Sequence, residues 1–365
     1  MKKLNTPIRI FVGLLFIFSG LIKANDPHGL SYKMQEFFEV WGFDFLNPLS
    51  LFSSLVMNVL EVFAGIAIIV NWQTKKITWL LFMLILFFTY LTGYALFSGK
   101  IKTCGCFGDC VPLTPAMSFT KDIVLGILII ILLATNTGKA SKGIFGKIVL
   151  YTVTLGTAAF QWYALTYLPV VDCLPYKKGN DIVEQMKVPA GALADSTSIE
   201  FIYTKNGKEV RFDQANFPTD FDSTYVYVDR KDIVVKKGNG LVAKIVDFSL
   251  QSVHGTDTTA AIFANQKPYV LVFAKEMKGA ESWKNSFETI YKKLQAQNID
   301  VILVTPEADR AISLFGKINI LIADATVIKT AARVTPTYFL MKGSRIQEKV
   351  AAPSIDHLFT TLNRK

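Results

Sequence analysis

The sequence predicts a multi-pass α-helical membrane bundle of about five transmembrane helices, followed by a C-terminal α/β domain. Three observations carry this reading. Of the 365 residues, 51% are hydrophobic, and the apolar excess is concentrated before about residue 168. Beyond that point apolar and charged residues alternate as in a soluble domain. Within this later part, strand-like runs alternate with helix-period stretches, which implies a layered α/β domain with right-handed crossovers. The length allows about two domains at roughly 100–200 residues each. The formal net charge is +10, but the lysines are dispersed and no DNA- or RNA-binding motif accompanies them. Nucleic acid is therefore excluded as a partner, and the excess is read as lysine flanking membrane spans.

Five apolar runs have the length and composition of membrane helices, since about 20 residues cross the hydrocarbon core. They extend roughly over Pro7–Ile22, Leu49–Val70, Ile77–Phe97, Phe119–Ala134 and Lys147–Leu168. The first follows Met-Lys-Lys, but Lys23, Ala24, Asn25 and Asp26 after it offer no small-x-small cleavage site. A retained helix is expected rather than a cleaved signal. Lysine and arginine in the short loops favour an inside N-terminus. Lys2, Lys3, Arg9, Lys75, Lys76, Lys139, Lys142 and Lys147 then lie inside, against Lys23, Lys33, Lys100, Lys102 and Lys121 outside. The C-terminal domain and the 98–118 loop consequently face outward. Between the first two spans, "YKMQEFFEVWGF" places Met34, Phe37, Phe38 and Trp41 at helical spacing. This suits a short helix lying in the interface or one packed on the bundle.

Glu61 falls in the middle of the second span, three residues after Asn58. A carboxylate at that depth must be paired, protonated or turned to a polar cavity. It is a candidate proton-handling group near a bound hydrophobic cofactor. The alternative is an ion pair to a neighbouring helix through Arg9 or Lys23. Lys121 and Asp122 open the fourth span, where the helix dipole suffices to explain the aspartate.

The chain has four cysteines, three of them in "IKTCGCFGDC": Cys104, Cys106 and Cys110. Cys173 follows the fifth span, so the predicted topology puts all four on the oxidising side, where disulfides persist. Gly105 and Gly108 allow the loop to turn tightly and bring sulfurs together. Three full pairings are possible and spacing does not choose among them. Redox-active thiols, structural disulfides and a metal site are the open alternatives. CxCxxxC is an imperfect zinc spacing, and His28 would have to complete it, so no metal is expected. His254 and His357 read as ordinary surface residues.

In the soluble part, "SIEFIYTKNGKEVRF" reads as a hairpin turning at Asn206-Gly207, and "STYVYVDRKDIVVKKG" as a further strand. Tyr269–Phe273 and Ile299–Val304 read as buried strands, with helices over Glu281–Gln297 and about Glu307–Leu314. A short strand and helix are expected near 318–334. Thr337–Met341 and Arg345–Val350 follow as a strand pair, and a last helix begins near Pro353. The expected domains are 1–168, a β-rich juxtamembrane segment at 169–245, and 246–365.

Two resemblances add to this. "RIFVGLLFIFSGLIK" at 9–23, Glu61 followed by Gly65, and "CGCFGDC" before Lys121-Asp122 together resemble the DoxX/MauE family of membrane proteins over about residues 1–168. MauE-like proteins are associated with disulfide formation in an exported methylamine dehydrogenase. Their four-helix core is also similar to proteins that pass electrons from thiols to quinones. "DFSL" at 247–250 and "VTPTYFLMKGSRI" at 334–346 resemble a thioredoxin-like domain, with Pro336 in the position of its cis-proline. Its CxxC motif would fall at Lys275–Ala280, where this chain has "KEMKGA"; no cysteine follows Cys173. Such a domain cannot itself exchange thiols. The resemblances imply an inner-membrane thiol–disulfide oxidoreductase whose working sulfurs are Cys104, Cys106, Cys110 and Cys173. Its electrons would go to a quinone and its partner would be an exported, periplasmic client. The other expectation is a noncatalytic assembly factor that docks an envelope partner in the groove beside Thr335 and Pro336, with structural disulfides.

Overall fold

The computed structural model describes residues 2–101, 103, 105–135, 143–193, 196–236, 238, 241–316 and 318–363. The chain divides into two compact units, one joining Met1–Gly179 to Ser249–Lys365 and the other comprising Asn180–Phe248.

The first unit begins with six helices: α1 (Lys2–Asn25), α2 (Pro27–Trp41), α3 (Ser50–Ile69), α4 (Thr74–Ser98), α5 (Pro115–Thr135) and α6 (Ile144–Tyr167). Among the described residues, five helical segments are long and apolar enough to cross a membrane, those of α1 and α3–α6. They form a multi-pass bundle whose core gathers Val12, Phe16, Val62, Ile66, Leu81 and Ile129. Outward-facing side chains such as Phe11, Leu14, Phe52 and Ile127 stay exposed, as an apolar surrounding requires.

Small residues set the closest approach. A Cβ on Gly13 would stand 2.7 Å from the Gly65 carbonyl, and one on Gly65 would stand 2.6 Å from the Gly13 carbonyl. One turn pair further along, a Cβ on Gly20 would meet the Asn58 carbonyl at 2.9 Å. Backbone-to-backbone packing of α1 on α3 therefore depends on these glycines, and it brings Lys23 and Glu61 side by side. The amphipathic α2 lies between the first two spans. Asp26 caps it, accepting from Gly29 N–H at 3.0 Å. Leu30, Met34 and Phe37 are buried, so its apolar face packs on protein.

The fourth span begins at Pro115, four residues before the expected Phe119. Asp122 thus sits in the third turn, too deep for the helix dipole alone to account for it.

The second unit holds a short helix α7 (Ile182–Met186) and three strands, β1 (Ser196–Lys205), β2 (Lys208–Asp213) and β3 (Tyr225–Lys236), in the antiparallel order β2-β1-β3. The hairpin turns at Asn206 and Gly207, both at positive φ (50° and 75°), as a two-residue turn of this kind demands. Phe201, Tyr203, Phe212 and Phe221 cluster on it.

The first unit resumes as an α/β domain: β4 (Gln251–Ser252), α8 (Thr259–Phe263), β5 (Tyr269–Phe273), α9 (Glu281–Gln295), β6 (Asp300–Val304), α10 (Ala308–Phe315), β7 (Asn319–Ile322), α11 (Ala325–Ala331), β8 (Thr337–Lys342), β9 (Arg345–Ala351) and α12 (Ile355–Asn363). Its sheet has the order β4-β7-β6-β5-β8-β9. β5, β6 and β7 run parallel, while β8 and β9 form an antiparallel pair on the other side of β5. β5 is wholly buried, the pattern of a central strand covered on both faces. The Thr335–Pro336 peptide is cis.

Candidate functional site

The loop between α4 and α5 carries three cysteines. Gly105 and Gly108 adopt positive φ (67° and 57°), and Gly108 N–H donates to the Gly105 carbonyl at 3.0 Å. This turn drives Cys106 and Phe107 inward and leaves Asp109 exposed. The Cys106 carbonyl accepts from Ser19 Oγ at 3.1 Å, and Phe107 meets Phe18 edge-on. The loop is thereby pinned to α1.

Cys110 is bonded to Cys173, with the two Cα atoms 4.9 Å apart across 63 residues of chain. The bond ties the α4–α5 loop to the segment after α6. Cys106 is a free, buried thiol. Burial pushes it above the ordinary thiol range, with Lys121 opposing and Asp122 adding to the effect. A buried thiol held neutral is a poor nucleophile in this state. Cys104 lies outside the described residues. Among the described residues, no three His, Cys, Asp or Glu side chains gather as metal ligands, and His28 stacks on Tyr32 instead.

Several separate buried polar pairs lie inside the bundle. Glu61 is fully buried and ion-paired to Lys23, whose ammonium also lies over the Phe88 ring at 4.6 Å. Arg9, the other partner considered for Glu61, donates to Asn71 at 2.8 Å. Asn58 donates to Gln161 at 2.9 Å. Asp122 accepts from Lys121 at 2.6 Å and from Thr92 at 3.0 Å, and is fully buried. Glu61, Lys121, Asp122, Ser19 and Phe107 share a cavity of about 20 Å3, enough for one water. Among the described residues, Glu61 Oε2 has no hydrogen-bond partner.

The α/β domain closes over the same end of the bundle. Arg333, between α11 and the cis peptide, donates from Nε to Asp26 at 2.8 Å and from Nη2 to Asp109 at 2.7 Å. Its third contact is the Lys329 carbonyl at 2.8 Å. Burial works against its charge, but Asp26 and Asp109 carry it above the ordinary arginine value. Lys349 of β9, 3% exposed in its side chain, donates to Asp172 at 2.7 Å. Asn25 exchanges two hydrogen bonds with Val171, at 2.8 and 3.0 Å. His28 faces Lys275, and burial, with Lys275 and Arg333, pushes it down to about 3. Lys275 and Glu276 of the "KEMKGA" stretch act electrostatically on His28 and Tyr32 of α2. Pro336 is buried and Thr335 half-buried.

On the other flank of the disulfide lies an open apolar recess of about 680 Å3, walled by Phe18, Leu21, Phe160, Val170, Cys110 and Cys173. Both half-cystines line it, whereas Cys106 is not among its walls.

Residues 1–137 match the family described as methylamine utilisation protein MauE. The stretch that carries α1–α5 is MauE-like. That stretch includes Glu61 and the three loop cysteines but ends before α6 and Cys173. Residues 197–237 match a domain of unknown function. Over 158 residues the chain is 27% identical to "Protein TlpB" of Flavobacterium psychrophilum, an alignment covering 41% of this chain and 41% of that protein. The chain therefore matches less than half the length of this curated relative. No solved structure matches it.

Of the residues expected to form the site, Cys106, Cys110 and Cys173 lie at one end of the bundle, and Glu61 lies deeper, on the cavity it shares with Phe107. Thr335 and Pro336 follow Arg333, which contacts that end. Arg333, Lys349, Asp109 and Asp172 were not anticipated. One sequence signal points to them: both half-cystines are preceded by aspartate, in Asp109-Cys110 and Asp172-Cys173.

Proposed function

We propose that this chain is a membrane thiol–disulfide oxidoreductase working at the outer face of an inner membrane. The observation that carries the reading is the Cys110–Cys173 bond, half-exposed on an open apolar recess, with a further thiol, Cys106, on the same loop. A client dithiol attacks the bond, one client sulfur forms a mixed disulfide, and the second resolves it. Two electrons and two protons pass to the Cys110 and Cys173 thiols while the client becomes a disulfide. A quinone, if bound, would supply the two-electron sink that restores the bond, leaving as the quinol. The apolar lining of the recess by Phe18, Leu21 and Phe160 supports an apolar, membrane-soluble acceptor. Glu61, with Lys23 and Asp122, is the group proposed to handle protons beneath the loop. Cys104 and Cys106 serve as the further exchange pair, for which Cys106 has to leave its buried seat.

The α/β domain supports a thioredoxin-like reading through its parallel β5–β6–β7 core, the β8–β9 pair and the cis-proline before β8. In this reading the face where a CxxC would act receives the chain's own bundle, through Arg333 and His28. The noncatalytic alternative, in which the groove beside Thr335 and Pro336 docks an envelope partner, draws support from the absent CxxC. The N-terminus is proposed inside and the α/β domain outside, on the lysine distribution.

The test is to trap thiols in intact cells by acid quenching and alkylation while respiration is varied. Cysteines that cycle between states support exchange. Cysteines locked in one state throughout refute it. An outward-facing reporter fused to the C-terminus is expected to be active.

A further inference from the structure

Each half of the Cys110–Cys173 bond follows an aspartate, and each aspartate is gripped by a buried cation of the α/β domain. Asp109 is held by Arg333 at 2.7 Å and Asp172 by Lys349 at 2.7 Å. The side chains of Arg333 and Lys349 are only 5% and 3% exposed. The second grip is reinforced by Asn25 on Val171 and by Leu174 N–H donating to Asp172 Oδ1 at 3.0 Å. The first is reinforced by Asp26, which shares Arg333 and itself caps α2. The α/β domain has no cysteine of its own, yet it holds both strands of chain that meet at the bond.

We infer that Arg333 and Lys349 are positioning residues that set the reduction potential of Cys110–Cys173 by holding Asp109 and Asp172 in the bonded arrangement. The physical reason is effective concentration. Once the bond is reduced, two thiols still clamped with their Cα atoms 4.9 Å apart reclose far more readily than two thiols on free loops. The clamp therefore favours the oxidised form. By reciprocity, reduction of the bond weakens the grip of the α/β domain on the bundle by the same free energy. A domain without thiols thus regulates thiol chemistry. The inference rests on the proposed function only in taking this bond as the reducible one.

The experiment is a redox titration of the full-length protein in detergent, in buffers of reduced and oxidised dithiothreitol. Each reduction breaks one S–S bond and forms two thiols, while dithiothreitol closes to its cyclic disulfide. At pH 6 the freed thiols stay protonated, so thiolate electrostatics do not enter. Arg333→Met is expected to shift the equilibrium toward the dithiol about tenfold, raising the midpoint by about 30 mV. If that variant does not fold, Asp109→Asn and Asp172→Asn remove the same grips with isosteric side chains, each expected to move the midpoint in the same direction. A wild-type midpoint in folded variants overturns the inference. A bond that titrates with the predicted shift but never cycles in cells would refute the proposed function alone.

Discussion

Replacing Lys23 by methionine strips the cation from Glu61 and leaves the rest of the bundle in place. Both side chains are 1% exposed and the cavity beside Glu61 has room for about one water, so the abandoned carboxylate stays poorly solvated. Breaking a buried pair from one side costs about 3–5 kcal/mol. Loss of the ammonium from the Phe88 face adds a smaller amount of the same sign. At about 2 °C per kcal/mol for a unit of this size, the apparent Tm in detergent is expected to fall by roughly 6–10 °C. Lys23→Met combined with Glu61→Met removes both charges and keeps the volume. It is expected to recover most of the loss, because an apolar pair of similar size replaces a buried ion pair at little cost. Thermal unfolding followed by circular dichroism on the wild type, both single variants and the double variant closes the cycle. A double variant as unstable as the sum of the singles would refute the reasoning, as would a single variant melting with the wild type.

Gly65→Val drives a side chain into the Gly13 carbonyl, so the variant is expected to lose the α1–α3 contact and to aggregate on size-exclusion chromatography, while Gly126→Ala, with open space at its Cβ position, is expected to be neutral. His28 titrates at about 3 when folded and near 6.5 when unfolded; the unfolded chain binds the extra proton in that window, so its contribution to stability is full above about 6.5 and is lost as pH falls toward 3. Stability of the wild type relative to His28→Phe should therefore drop between pH 7 and pH 4, and a pH-independent difference would contradict this. Cys106 is expected to react with a maleimide at least about tenfold more slowly in the folded than in the denatured protein, measured by mass spectrometry; equal rates would show that it is not buried in solution.

The membrane spans were legible because each needs only a local property, about 20 apolar residues in sequence. Boundaries were less so: Pro115, Ala116 and Met117 extend the fourth helix beyond its apolar run, which is why Asp122 looked like a helix-start residue. The sequence leaves Arg9 and Lys23 of the first helix as alternative partners for Glu61, and only the packing of α1 on α3 selects Lys23. What remained hidden was the grip of the α/β domain on the disulfide. Arg333 lies 224 residues from Asp109 and Lys349 lies 177 from Asp172, and no periodicity or composition signal spans such distances. The disulfide itself was one of six possible cysteine pairs until tertiary structure brought residues 110 and 173 together.

The first unit is discontinuous: the chain leaves it after Gly179 and re-enters at Ser249. This orders its assembly in time. At about 5–20 residues per second of synthesis, Lys349 emerges roughly 10–35 s after its partner Asp172, which lies 177 residues earlier. Cys110 and Cys173 are both available throughout that delay. A newly made bundle therefore passes through a period in which its bond is formed or broken without restraint from the α/β domain, and only the finished chain locks it.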